Sequence, residues 1–364
     1  MTTTRPDRPL VLPPNVFDHF YRGGARIAAL RGSDPGQGFR PEEWLAATIA
    51  RDGGGDLGLS RTGDGELLRD LVAGDPDGWL GGAGAWPGDT GVLVKLLDAA
   101  QRLPVHVHPT RSFARSHLNC PYGKTEAWYV LAADGTGADA ASVWLGWQAD
   151  VDPAALAAAV ERQDSTWMLE RMNRVQVAPG DGILVPAGTA HAIGAGVFVI
   201  EVQEPTDFSV LLEWSVTTSG PEDSHLGLGW DRALTALQHT ATDPQELASL
   251  IRHSDPAGRS ARVGSAYPAA ADPFFRLQLA APAGGSVVEF AAGYGVVVVL
   301  SGVGAMTGAD AEIAVQGGEV LVVPAAFGAW QCRGAVRMAV ARPGAGWPGA
   351  LSAPDRNAPD RNAP

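Results

Sequence analysis

Lysine is nearly missing from this 364-residue chain, in which only Lys95 and Lys124 stand beside 25 arginines. Basic residues number 27 against 40 acidic ones, and the net charge of −13 argues against a nucleic-acid binder. Cysteine is equally scarce. Cys120 and Cys332 lie far apart, which excludes a disulfide framework and a CxxC metal motif and points to a reducing cytoplasm. No apolar run approaches the roughly 18 residues of a membrane span, and Leu10-Val11-Leu12 is shorter than the core of about 7 to 15 residues that a signal peptide needs. Apolar residues are plentiful at 45%. Disorder of the whole chain is therefore excluded, and the length suffices for two domains of about 100 to 200 residues each.

Glycine (46) and proline (27) punctuate short apolar runs at 92–97, 141–145, 183–185, 197–202, 296–300 and 320–323. Many short strands between such turns predict an all-β sandwich or barrel. Helical patterning is confined to 66–72, to 153–173 with Asp152 as N-cap and Pro153 in the first turn, and to a helical pair over 231–253 that connects two strand-rich regions. Residues 180–191 (GDGILVPAGTAH) are echoed at 317–328 (GGEVLVVPAAFG), which suggests two related β units. The first copy ends in His191, and no histidine follows His253, so only the first unit can hold a histidine metal site. After Leu351 the repeated PDRNA unit offers nothing to pack a core and predicts a disordered tail.

Chemistry concentrates in three segments. In 103–109 (LPVHVHP), His106 and His108 are two apart, so on a strand they project to one face. In 123–129 (GKTEAWY) the same parity groups Lys124, Glu126 and Trp128, and His191 follows a PAG turn at the end of another strand. Three imidazoles and a carboxylate suit a first-row divalent metal with open positions, whether Zn, Fe, Mn or Ni. Isolated histidines are more often packed or surface residues, and His19, His117, His225, His239 and His253 are read that way. Trp330, in the second copy, is read as core.

These segments, extended to 93–131, 177–194 and 201–214 (EVQEPTDFSVLLEW), resemble the blocks of the class I mannose-6-phosphate isomerases, zinc enzymes of the cupin superfamily. Residues 21–24 (YRGG) and 41–44 (PEEW) extend the resemblance toward the N-terminus. It implies a mainly β fold of two cupin-type jelly-roll barrels, the second degenerate. The expected division is a flexible N-terminus (1–15), a metal-binding catalytic domain (16–220), a small helical connector (221–258), a degenerate C-terminal cupin domain (259–345) and a disordered tail (346–364). It also implies zinc held by His106, His108, Glu126 and His191, with Lys124 and Glu201 as catalytic residues. Lys95 corresponds to the family's lysine upstream of the metal strand, and Gln203 shares the face of Glu201.

The sequence departs from the family pattern at three places. His106 stands where the family has Gln, Thr110-Arg111 replaces an acidic pair, and the arginine expected ten residues after Glu201 is Leu211. Arg111 and Arg115 are the candidates to supply the missing positive charge, with Lys95 and Gln203 completing the substrate contacts. The resulting expectation is a cytoplasmic, metal-dependent aldose-ketose isomerase, monomeric or homodimeric, acting on mannose 6-phosphate or a related sugar or sugar phosphate, with neither nucleic acid nor membrane as partner. The alternatives are a cupin metalloenzyme for unphosphorylated sugars, an oxygenase, or a non-catalytic sugar-binding regulator.

Overall fold

The computed structural model describes residues 6–137, 140–254, 260–282 and 285–347. The chain is mainly β, as its punctuated apolar runs predict, and its strands form three antiparallel sheets. A six-stranded sheet runs in the order β12 (Ile251–His253), β8 (Asp181–Val185), β5 (Glu126–Ala133), β10 (Val197–Gln203), β3 (Leu93–Asp98) and β2 (Glu42–Leu45). A five-stranded sheet runs β11 (Val210–Leu211), β4 (His106–Val107), β9 (His191–Ile193), β6 (Ser142–Trp147) and β7 (Met172–Gln176). The third sheet has β1 (Leu10–Val11), β18 (Val320–Val323), β16 (Gly295–Thr307), β19 (Trp330–Pro343), β14 (Phe275–Ala281) and β13 (Ser260–Ser265), with β15 (Val287–Phe290) also on β19 and β17 (Glu312–Gln316) on β16.

The six-stranded sheet is covered on both faces, and its central strands β3, β8 and β10 are buried along their whole length. Val94, Leu96, Ile200 and Val202 share one core with Val296, Val298, Val320 and Ala339 of the eight-stranded sheet. Strand alternation turns Lys95 and Glu201 the other way. The far side of the five-stranded sheet contributes Val105, Val107, Ala192 and Val210 to a second core, against Leu156, Val160 and Met168 of two helices. The echoed segments form β8 and β18, one in each unit, and each enters its strand through a left-handed glycine, Gly180 at φ 97° and Gly318 at φ 91°. Trp330 is buried and stacked on Phe290 at 4.1 Å.

Three expectations change. The N-terminal segment is not free as far as residue 15, since Leu10 pairs with Val322 and the Asn15 amide donates to the carbonyls of Trp44 (3.0 Å) and Gly58 (2.7 Å). Residues 1–5 of that segment, and 348–364 of the expected tail, lie outside the described residues. The single helix expected over 153–173 is two, Pro153–Glu161 and Ser165–Arg171, because Gln163 between them adopts φ 52° and breaks the hydrogen-bond ladder. Asp152 does cap the first, accepting from Ala155 N at 2.8 Å. The helical pair expected over 231–253 is reduced to short pieces at Trp230–Ala233 and Pro244–Ser249, and its end is β12, an edge strand of the six-stranded sheet. The apolar residues of that stretch satisfy an edge strand as well as a helix, and such short runs do not separate the two.

Candidate active site and metal centre

His106 and His191 are direct partners across β4 and β9, which brings their rings to 4.0 Å. His108 follows β4 on the same face, its ring 4.9 Å from His106 and 4.8 Å from His191. One nitrogen from each of the three imidazoles lies within 4.8 Å of the other two, and all three residues are buried. Each Nδ1 faces a backbone carbonyl: Pro104 for His106 (2.9 Å), Phe208 for His108 (2.8 Å) and Thr189 for His191 (2.8 Å). A carbonyl only accepts, so Nδ1 carries the proton and each Nε2 presents a lone pair.

Glu126, at the start of β5, comes from the facing sheet. Its Oε2 lies 2.9 Å from His108 Nε2 and its Oε1 3.4 Å from His191 Nε2. With the Nδ1 protons already committed, these contacts set acceptor against acceptor; the Lys124 ammonium lies beside both atoms of the first pair, and a cation between the atoms of the second would relieve it. His191 Nε2 is buried with no hydrogen-bond partner. Burial and the other two imidazoles hold His106 well below the usual imidazole range, and burial with the Lys124 charge lowers His108 to about 3. Neutral imidazoles beside a carboxylate fit a divalent metal.

Beside this centre a row of side chains crosses the six-stranded sheet in register: Trp128 opposite Glu201, Glu201 opposite Lys95, and Lys95 opposite Trp44. The Trp128 indole divides its N–H between Glu126 Oε1 (3.0 Å) and Glu201 Oε2 (3.2 Å). Lys95 lies 3.1 Å from Glu42 and 3.5 Å from Glu201, with its ammonium 4.8 Å from the Trp44 ring centre. Burial alone would raise the Glu42 carboxyl, but Lys95, His19 and bonds from Tyr21 and Trp44 outweigh it and hold it well below the usual range. Burial and the neighbouring Glu126 push Glu201 the other way, to about 7. Lys124 reaches His108 Nε2 at 2.8 Å and Glu126 Oε2 at 3.0 Å.

Part of this set lines a cavity of about 690 Å³, His108 and His191 not among its lining. His106, Lys124, Glu126, Glu201 and Lys95 all reach it; Arg111, Arg115 and Gln203 do not line it. Arg111 is buried against Glu204 at 2.5 Å and lies 4.8 Å over the Phe274 ring, while Glu204 also accepts from Thr125 N at 2.9 Å, next to Glu126. Through Glu204 it braces the start of β5, where Glu126 sits. Arg115 is exposed on the helix Arg111–His117. The Gln203 amide is turned to the carbonyls of Glu204 (3.2 Å) and Thr206 (2.5 Å). Leu211 lines the cavity as the direct partner of His106.

Glu42, His19, Arg51 and Asp207 also face the cavity and carried no signal of their own in the sequence. His19, read there as an ordinary packed or surface residue, is indeed buried, yet it forms part of the cavity wall. The PEEW segment held Glu42, but nothing local separates it from Glu43, which is buried and paired with Arg31 at 2.9 Å.

A relative from Streptococcus mutans, a mannose-6-phosphate isomerase, is 30% identical over 243 residues, which are 67% of this chain and 71% of that protein. The chain belongs to the mannose-6-phosphate isomerase family. The mannose-6-phosphate isomerase ManA of Bacillus subtilis is 37% identical over 122 residues, 32% of this chain and 34% of its own length, so the match spans about a third of that relative. No protein-family model matches the chain. The fold resembles the mannose 6-phosphate isomerase crystal structure from Bacillus subtilis (TM-score 0.69, 19% identity, 92% of this chain and 99% of that one). It also resembles the apo form of the enzyme from Salmonella typhimurium (TM-score 0.69, 15% identity, 93% and 100%). At these identities the structures speak for the fold, which is the cupin-type fold of this family.

Proposed function

We propose that the protein is a divalent-metal-dependent aldose-ketose isomerase that interconverts mannose 6-phosphate and fructose 6-phosphate. The observation that carries this is the convergence of His106, Glu126, Lys124, Glu201 and Lys95 on one cavity, with His106 belonging to a buried three-imidazole cluster completed by His108 and His191. His106, His108, His191 and Glu126 would hold the metal, read as zinc from the donor set. Bound there, a divalent metal supplies Lewis-acid polarisation of the sugar carbonyl and hydroxyl oxygens.

Moving a proton between C1 and C2 needs a group that both takes and returns it near neutral pH. Glu201 has a carboxyl raised to about 7 and an Oε1 buried without a hydrogen-bond partner, so it is assigned the acid-base step. Trp128 and Lys95 fix its orientation from either side. Lys124 is assigned to the developing oxyanion of the enediolate and to the proton exchanged between O1 and O2. We read residues 16–220 as the catalytic cupin unit and 259–345 as its degenerate partner, working in a reducing cytoplasm that suits two free cysteines.

Metal-loaded protein incubated with mannose 6-phosphate in heavy water should incorporate deuterium at C1 of the ketose or C2 of the aldose. Lys124→Ala and Glu201→Gln should each lower turnover by about 10²- to 10⁴-fold with the metal retained. Full turnover by both variants, or no exchange by the loaded wild type, rejects the assignment.

A further inference from the structure

We infer that Arg51 docks the phosphate of the sugar phosphate, replacing the cation lost at Leu211. This rests on the isomerase reading above and names the residue that would give it phosphate selectivity. Among the described residues Arg51 is the one arginine that lines the cavity, since Arg111 is spent on Glu204, Arg102 on Glu213, and Arg115 stands outside. The other lining cations are committed, Lys95 between Glu42 and Glu201, and Lys124 to Glu126 and His108. Arg51 has no described carboxylate within ion-pair reach; its guanidinium makes one long bond, Nη1 to the Asp18 carbonyl at 3.4 Å. It is a half-buried cation with most of its five donors unspent.

Its placement is set by the backbone. Arg51 N donates to Leu57 O at 2.8 Å and Gly54 N to Arg51 O at 3.0 Å, closing the loop 51–57 on itself. Asp52 N then donates to Asp207 Oδ2 at 3.3 Å, which ties the loop to another segment lining the cavity. Thr218 and Ser219 line the same space, and so does His19, whose Nε2 is buried without a partner. A guanidinium and hydroxyls lining one cavity offer the kind of donors that a phosphate monoester, carrying about −1.5 to −2, calls for. The remaining charges at the mouth are acidic, with Asp52, Glu222 and Asp223 also lining it. Without Arg51 the mouth would repel a dianion, so the whole phosphate preference hangs on this side chain.

The test compares metal-loaded wild type, Arg51→Met and Arg51→Lys with mannose 6-phosphate and with mannose, together with calorimetric binding of mannose 6-phosphate. Arg51→Met should lose about 10- to 100-fold in kcat/KM for the phosphorylated sugar, mainly through KM. Turnover of mannose should be unchanged, and Arg51→Lys should recover part of the loss. An equal effect on both sugars, no effect on either, or a wild type that prefers mannose overturns the role of Arg51 and leaves the isomerase reading standing. Arg51-dependent binding of mannose 6-phosphate without turnover by the loaded wild type does the reverse.

Discussion

Each histidine of the centre gives its Nδ1 proton to a backbone carbonyl, so ring orientation is decided before any ligand arrives. Removing one ring removes a donor and also frees a buried carbonyl. His191→Ala should therefore lower divalent-metal affinity by more than the roughly 10- to 100-fold that loss of an outer-shell partner costs, measured as metal retained after dialysis against a chelator. Acid should act on the same groups. Burial, opposed by the Glu42 carboxylate and aided by the Arg51 charge, lowers His19 to about 4, and His108 lies near 3, whereas unfolded histidine titrates near 6.5. Between those values the unfolded chain binds more protons than the folded one, so stability falls as pH drops from about 6.5 toward 4. Urea midpoints of metal-free protein should decline across that window, and His19→Gln should flatten the decline. At this scale the HxH pair and His191 were legible because strand parity and a turn motif put them on one face. His19 and Arg51 were not, because their roles come from loops folded onto the cavity, which no local pattern encodes.

Among the elements, strand register does most to build the site. The row Trp128, Glu201, Lys95, Trp44 crosses four antiparallel neighbours, and a shift of one residue in any of them would turn its polar member into the apolar core behind. Parity along each strand was readable in the sequence, and it correctly set Lys124, Glu126 and Trp128 together. The pairing between strands was not, since β10 lies between β5 and β3 although it follows both by more than 60 residues. The seam between the sheets is equally non-local. A Cβ at Gly182 on β8 would stand 1.9 Å from the Ala266 carbonyl oxygen, so only glycine lets the two units close to this distance. Gly182→Ala should cost about 1 to 3 kcal/mol or more, seen as a lower urea midpoint. An unchanged midpoint would mean the seam relaxes without cost.

Across the whole molecule the C-terminal part of the chain is bonded into the part that carries the histidine centre. The Tyr267 hydroxyl donates to the carbonyls of Ala127 (3.1 Å) and Ile200 (3.3 Å), on β5 and β10 behind the active-site face. Trp347 donates to the Tyr122 hydroxyl at 2.9 Å, and Tyr122 to Asp89 at 2.7 Å, so the chain returns to the first unit after its last strand. Truncation at Thr240 would strip β12 from the edge of the six-stranded sheet and uncover the core shared with Val296, Val298 and Ala339. The truncated chain should melt well below the full one or fail to fold; an unchanged melt would show the second unit to be dispensable.

By itself the sequence determined the strand-rich class, the duplicated turn-strand-turn segment, the histidine centre with its glutamate, and the unusual value of its two lysines. Both lysines prove to be buried cations paired with carboxylates of the site. These features repeat at short range, where backbone geometry alone fixes which side chains point together. Tertiary structure alone decided that Arg111 is a brace, that Gln203 turns to the backbone, and that Arg51 stands in the cavity. The physical reason is that charge acts through space: whether a guanidinium meets a carboxylate or an open cavity depends on which distant segments fold against it.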